Sequence, residues 1–103
     1  AKLLIFGGDA IPAAEALRLG LVEQVVPAAE VMPTARALAR KLASKSPVIM
    51  ALAKKAINEG METDLQRGCE LEAVLFGVAA STEDRTEGTR AFLEKRKANF
   101  KGR

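Results

Sequence analysis

The chain has 103 residues, a net charge of +3 and 49% apolar residues. This composition is typical of one globular domain and argues against a disordered chain or a fibre. Its longest apolar runs are much shorter than the about 20 residues that a membrane-spanning helix needs, so we do not expect a membrane protein.

The chain has no histidine and one cysteine, Cys69. This excludes histidine-based catalysis, an internal disulfide and a cysteine-rich metal site within these residues. A single thiol is typical of a reducing compartment.

The first part of the chain predicts short elements. Ala1–Phe6 is typical of the end of a helix or strand, and a pair of glycines after it predicts a turn. Pro12 and Gly20 frame a short helix, because proline suits a first helical turn and glycine suits the residue after a helix. Leu21–Val26 is the only good strand candidate.

The rest of the chain predicts four helices, so the fold class is mainly α. We expect them to begin near residues 30–33, at Pro47 after a Ser46 cap, after a Thr63 cap, and at about Thr82. Ser81 and Asp84 resemble a capping box at the start of the fourth helix, which we expect to continue to Lys95.

The third of these helices is apolar on every side from Ala73 to Ala80. Such a pattern predicts burial all round, which a chain of this size offers in few places. We therefore expect Ala73–Ala80 to pack against something outside these residues. Cys69 shares a stripe with Leu65 and Phe76, so we expect it to be a small core residue.

Positive charge is concentrated at residues 85–103, which carry seven basic and two acidic residues. Basic residues suit a helix C-terminus, so we expect nucleic acid binding to be unlikely. Phe92 and Lys95 share one helix face. They fit either a clamp for a nucleotide, with the ring on a base and the ammonium on a phosphate, or a core phenylalanine beside a solvated lysine.

Four stretches, taken in order, carry a resemblance to a known family. They are AKLLIF followed by a turn and the run GLVEQVVP, the SP step at 46–47 leading to AKKAIN, residues 72–84 from EA to STED, and residues 87–97 with EG and AFLEKRK. Their order and spacing are similar to those of the C-terminal segment of the enoyl-CoA hydratase/isomerase (crotonase) superfamily.

The resemblance implies the domain organisation and the activity of a parent protein. Residues 1–27 would be the end of the family's spiral core of ββα units, and residues 28–103 would be the helical region that builds trimers or hexamers and covers the CoA site. The parent would hydrate 2-enoyl-CoA to 3-hydroxyacyl-CoA in fatty-acid or branched acyl-CoA metabolism. It would need no cofactor beyond the CoA thioester substrate, and it would work in a bacterial cytoplasm or the mitochondrial matrix.

The resemblance also implies site residues. Phe92 and Lys95 match the family's phenylalanine and lysine at the nucleotide end of CoA, and Phe76 matches an aromatic residue near the acyl or subunit-contact side. The family's catalytic glutamates and oxyanion loops lie upstream of the matched segment, and no glutamate here matches them. We therefore expect no catalytic residue and no metal ligand in this chain, and we expect the chain alone to be inactive.

Two alternatives stay open. The chain could be a non-catalytic helical oligomerisation module, since it holds no catalytic set of its own. The run Ala56–Glu62 is also similar to the methylglutaconyl-CoA hydratase branch, some members of which bind RNA, and an enoyl-CoA isomerase parent fits the resemblance as well.

Overall fold

The computed structural model describes all 103 residues, and every regular element in it is helical. The elements are α1 (Lys2–Gly7), α2 (Ala13–Arg18), a 3₁₀ turn (Ala28–Glu30), α3 (Val31–Ala43), α4 (Pro47–Gly60), α5 (Leu65–Ala80) and α6 (Glu83–Leu93). The mainly α fold predicted from the sequence is confirmed. The chain divides into two compact units, residues 1–37 and 38–103. The functional boundary between residues 27 and 28 stays a prediction.

The first unit contains short helices, and a glycine follows the end of α1 and of α2. Gly8 follows α1 with a φ of 69° and Gly20 follows α2 with a φ of 74°, a left-handed conformation that glycine adopts without steric cost. The turn and the short helix predicted here are confirmed. No residue of this unit is buried, so it has no core of its own.

The strand predicted at Leu21–Val26 is wrong, because this stretch is irregular. The amide of Leu21 donates to the carbonyl of Ala16 at 2.9 Å, and the amide of Gly20 donates to Leu17 at 3.1 Å. The start of the stretch is therefore used to close α2. The chain also contains no strand with which it could pair, and a strand without a partner leaves its backbone groups unsatisfied.

In the second unit, α4 packs against α5, and α6 contacts both. Leu75 and Ala91 are the only buried apolar residues, and the buried polar residues are Ser46 and Asp84, which share a hydrogen bond. The centre of this unit is therefore small and half polar. A cleft of about 200 Å³ between α4 and α5 remains open to solvent.

Side-chain caps begin three of the four longer helices. Ser46 accepts from the amide of Ile49 at the start of α4, as predicted. The cap of α5 is Asp64, which accepts from the amide of Arg67, so the Thr63 cap is wrong by one residue. The cap of α6 is Thr82, which accepts from Arg85, and the Ser81 and Asp84 capping box is wrong.

The apolar half of α5 is mostly exposed within this chain. Only Leu75 is buried there, whereas Val74 is 64% and Phe76 73% exposed. The prediction that this stretch is covered by something outside these residues therefore stays a prediction. Cys69 is exposed, which corrects its expected place in the core, because its helix neighbours Leu65 and Phe76 are exposed as well.

None of the helices has the combination of length and apolar character that crossing a membrane requires.

Candidate functional site

The C-terminal end of α6 forms a tight left-handed turn. The amide of Lys95 donates to the carbonyl of Phe92 at 3.2 Å, and the amide of Arg96 donates to Ala91 at 3.0 Å. These two bonds are the Schellman pattern that satisfies the last carbonyls of a helix. Lys95 takes the left-handed position with a φ of 52°, the only positive φ at a residue other than glycine. The helix ends at Leu93, two residues earlier than predicted.

Phe92 and Lys95 lie within this turn. Phe92 is 83% exposed, so the interpretation of Phe92 as a core residue is wrong for this chain. Lys95 is exposed, and its ammonium group makes no hydrogen bond or ion pair within the chain. Because Lys95 lies beyond the end of α6 in a left-handed conformation, the predicted shared helix face is wrong. The ring of Phe92 and the ammonium group of Lys95 are both exposed at this helix end, and their use as a nucleotide clamp stays a prediction.

Arg96, the next residue, is fixed by two carboxylates. Its guanidinium donates to both oxygens of Glu87, at 2.6 and 3.0 Å, and to Glu94 at 2.6 Å. Glu87 also accepts from the amide of Asn99 at 2.8 Å. The bonds from Arg96, and to a smaller extent the bond from the amide of Asn99, lower the pKa of Glu87 to about 2. In return the two carboxylates, Glu87 more than Glu94, raise the pKa of Arg96.

Asp84 is the centre of a second set of contacts. It is 2% exposed and accepts from the Ser46 hydroxyl at 2.6 Å and from the amides of Lys101 and Gly102 at 2.7 and 2.9 Å. Its own amide donates to the carbonyl of Arg103 at 3.0 Å. Burial opposes the charge on this carboxyl, but the three donors outweigh it, and the pKa of Asp84 is lowered.

We call Ser46, Asp84, Glu87, Arg96 and residues 99–103 the C-terminal network. A cleft of about 350 Å³ lies along it, lined by Glu83, Asp84, Glu87, Arg96, Asn99 and Lys101. Asp84 and Glu87 are held ionised by donors from the chain itself, so neither is poised to take up a proton as a general base. No group of three or more histidine, cysteine or acidic residues could hold a metal ion.

Phe76 lies apart from the turn that carries Phe92 and Lys95. It lines the cleft between α4 and α5, together with Ile49, Leu52, Ala53, Ala56, Glu72, Leu75 and Ala79. The structure therefore brings together two of the three predicted site residues and places the third on a different helix.

Sequence reasoning missed the roles of Asp84 and Glu87, since it places Asp84 in a capping box at the start of the helix and gives Glu87 no role. One signal was available, because Asp84, Gly88 and Ala91 recur at the spacing of one helix face. Asp84 and Ala91 are both buried. An acidic residue on an inward stripe indicates a satisfied buried carboxylate rather than a solvated one.

Comparisons with known proteins agree over the whole chain. Residues 1–103 match the family described as Enoyl-CoA hydratase/isomerase. Crotonyl-CoA hydratase of Syntrophomonas wolfei is 47% identical over 100 residues, which cover 97% of this chain and 38% of that protein. The mitochondrial enoyl-CoA hydratase of Pongo abelii is 43% identical over 98 residues, which cover 95% and 34%.

A solved structure shows the same arrangement. The enoyl-CoA hydratase crystal structure from Bacillus anthracis aligns with a TM-score of 0.95 and 42% identity over 99% of this chain and 40% of that one. The chain thus spans about two fifths of the length of the relatives that it matches.

Proposed function

This chain belongs to the enoyl-CoA hydratase/isomerase family, and we propose that it is the C-terminal part of an enoyl-CoA hydratase. The parent would add water across the 2,3 double bond of a 2-enoyl-CoA to give a 3-hydroxyacyl-CoA, in fatty-acid or branched acyl-CoA metabolism. The proposal is supported by hydratases that are 43 to 47% identical over nearly all of this chain. A reducing bacterial cytoplasm or mitochondrial matrix fits the single exposed thiol.

The chemical step would take place outside these residues. Hydration of a thioester needs a carboxyl group that moves a proton and backbone amides that stabilise the enolate oxygen. In this chain the carboxylates of Asp84 and Glu87 are already saturated by its own donors. The resemblance also implies that the family's catalytic glutamates lie upstream of these residues. On both grounds we assign no catalytic residue and no resident cofactor to the segment, and the segment alone would be inactive.

The segment would instead bind the nucleotide end of the CoA ester. The ring of Phe92 is uncovered and can cover the adenine, while the unpaired ammonium group of Lys95 can meet a phosphate at close range. The observation that carries the proposal is the turn itself, which holds both side chains exposed at the end of one helix.

A second contribution would be oligomer contacts. Phe76 is 73% exposed and Val74 64% exposed on α5, and apolar residues exposed at this density mark surfaces that other chains cover. We propose that α5 packs in a homotrimer or homohexamer and that Phe76 lies near the acyl or subunit-contact side. A non-catalytic oligomerisation module is the alternative that this observation favours.

Lys95→Ala in the full-length protein tests the CoA contact. The KM for crotonyl-CoA should rise about tenfold while kcat changes less than twofold, because a contact remote from the reacting atoms contributes uniform binding. Steady-state hydration assays measure both constants. Lys97→Ala is the matched control, since Lys97 is a nearby exposed lysine. An unchanged KM in Lys95→Ala would contradict the proposed contact.

A further inference from the structure

Lys95 occupies a backbone conformation that lysine adopts at a cost. Its φ of 52° lies in the left-handed region, where the side-chain Cβ crowds the backbone. Such a residue persists when the surrounding structure holds it in place. The contacts that hold Lys95 therefore decide where its ammonium group is presented.

Two backbone bonds close the turn itself, from Lys95 to Phe92 and from Arg96 to Ala91, and the side-chain contacts that follow Lys95 converge on Glu87. The carboxylate of Glu87 binds the guanidinium of Arg96, the residue after Lys95, through two bonds of 2.6 and 3.0 Å. The same carboxylate accepts from the amide of Asn99 at 2.8 Å. Glu87 is more covered than its partner, with 22% of its side chain exposed against 38% for Arg96. Glu87 thus connects the residues that follow Lys95 to the middle of α6.

Glu94 is a weaker anchor of the same arginine. It binds Arg96 through one bond of 2.6 Å, and 52% of its side chain is exposed. It also lies within the turn that it would need to hold, whereas Glu87 lies two helical turns earlier. A bidentate contact to a firm helix fixes orientation better than a single contact within the turn.

We propose that Glu87 is a positioning residue for CoA binding, which acts through Arg96 to hold the left-handed turn that presents Lys95. This inference rests on the proposed function, in which Lys95 contacts the nucleotide end of the CoA ester. Glu87 itself touches no substrate in this scheme.

Glu87→Gln in the full-length protein tests the inference. Glutamine keeps the size of the side chain and loses the charge that fixes Arg96. The KM for crotonyl-CoA should rise about fivefold with kcat changed less than twofold, and the KM for the crotonyl thioester of N-acetylcysteamine, which lacks the nucleotide, should stay the same. Glu59→Gln, which breaks an ion pair of the same 2.6 Å length on α4, is the matched control and should change neither.

A double-mutant cycle separates positioning from general loosening. Because Glu87 acts through Lys95, Glu87→Gln should add no further rise in KM to the Lys95→Ala variant. Additive effects, equal rises for both thioesters, or an unchanged KM in Glu87→Gln would overturn the inference. If Lys95→Ala itself leaves KM unchanged, the proposed CoA contact fails; if it raises KM and Glu87→Gln does not, only the positioning role fails.

Arg96→Lys provides a second test that does not depend on the folding of Glu87→Gln. Lysine keeps the positive charge but cannot make the two parallel bonds to Glu87. It should reproduce part of the KM rise for crotonyl-CoA and none for the truncated thioester. A KM equal to that of the unmodified protein would count against the proposal.

Discussion

The C-terminal network and the α4–α5 pair are held together in different ways. In the network, the carboxylates of Asp84 and Glu87 each accept three hydrogen bonds from the chain itself. In the helix pair, only Leu75 of α5 is buried; Ile49 and Leu52 of α4 are half-buried, and Val74 and Phe76 of α5 are exposed. The network is held by bonds within this chain, whereas the helix pair leaves large apolar side chains such as Val74 and Phe76 uncovered.

The difference shows what each region requires from its surroundings. Directional contacts within the chain fix the position of a short segment, and the network does this for residues 99–103. Apolar surface is stabilised only when something covers it, and this chain does not cover the surface of α5. The network thus suits a positioning role, and α5 suits an interface.

Placing a charge on α5 should have the largest effect. We expect Val74→Asp to dissociate the full-length protein to a smaller species, because a carboxylate buried in an apolar interface lacks a partner. Sedimentation equilibrium measures the mass. The control is Gln66→Asp, an acidic substitution in the first turn of the same helix, which should leave the mass unchanged. An unaltered assembly in Val74→Asp would mean that this part of α5 is not covered.

Replacing Asp84, the centre of the C-terminal network, should have the second-largest effect. In Asp84→Ala the Ser46 hydroxyl and the amides of Lys101 and Gly102 lose their acceptor, so we expect the Tm of the full-length protein to fall by roughly 5 °C or more. Thermal unfolding followed by circular dichroism measures this fall. In Asp84→Asn one oxygen acceptor remains, so the Tm should fall less than in Asp84→Ala. Faster hydrogen exchange at the amides of Lys101 and Gly102 should accompany the change, and unchanged exchange would argue against the network.

The network should also respond to acid through Glu87. Its pKa in the folded chain is about 2, below its ordinary value of 4.5, so its charge stabilises the fold. This contribution is complete above about pH 4.5 and is lost as the pH falls from there toward 2. We expect Tm measured from pH 7 to pH 2 to fall less steeply in Glu87→Gln than in the unmodified protein. Parallel curves would show that Glu87 does not contribute.

The smallest effect should come from an exposed ion pair outside the network. The Lys55 ammonium lies 2.6 Å from Glu59, but about half of each side chain is exposed. Solvent screens such a pair, so we expect Glu59→Gln to change Tm by at most about 2 °C. A larger fall would mean that distance alone, rather than connection to other donors, decides the strength of these contacts.

Local chemistry was enough to predict much of the fold. The Ser46 cap before Pro47 and the glycine after α2 depend on neighbouring residues only, and both are confirmed. Two adjacent residues before α5, Thr63 and Asp64, are both suitable caps, and neighbouring residues alone do not decide between them. The structure selects Asp64, which accepts from the amide of Arg67 at 3.0 Å.

The network could not be predicted in the same way, because its contacts are distant along the chain. Asp84 binds Ser46 across 38 residues and Gly102 across 18. Acidic residues near a helix N-terminus are usually explained by the dipole, so local reasoning had no cause to look further. The pairing of Phe92 with Lys95 on one helix face did not anticipate that α6 ends at Leu93 and that Lys95 turns left-handed. Phe76 lies on another helix, which spacing does not relate to them, and the role of all three residues stays a prediction.

The left-handed lysine has a consequence for engineering this protein. At position 95 glycine would relieve the steric crowding and complete the turn equally well. A screen that selects only for thermal stability should therefore enrich Lys95→Gly, and with it lose the cation. Stabilising this protein safely means leaving position 95 out of the library.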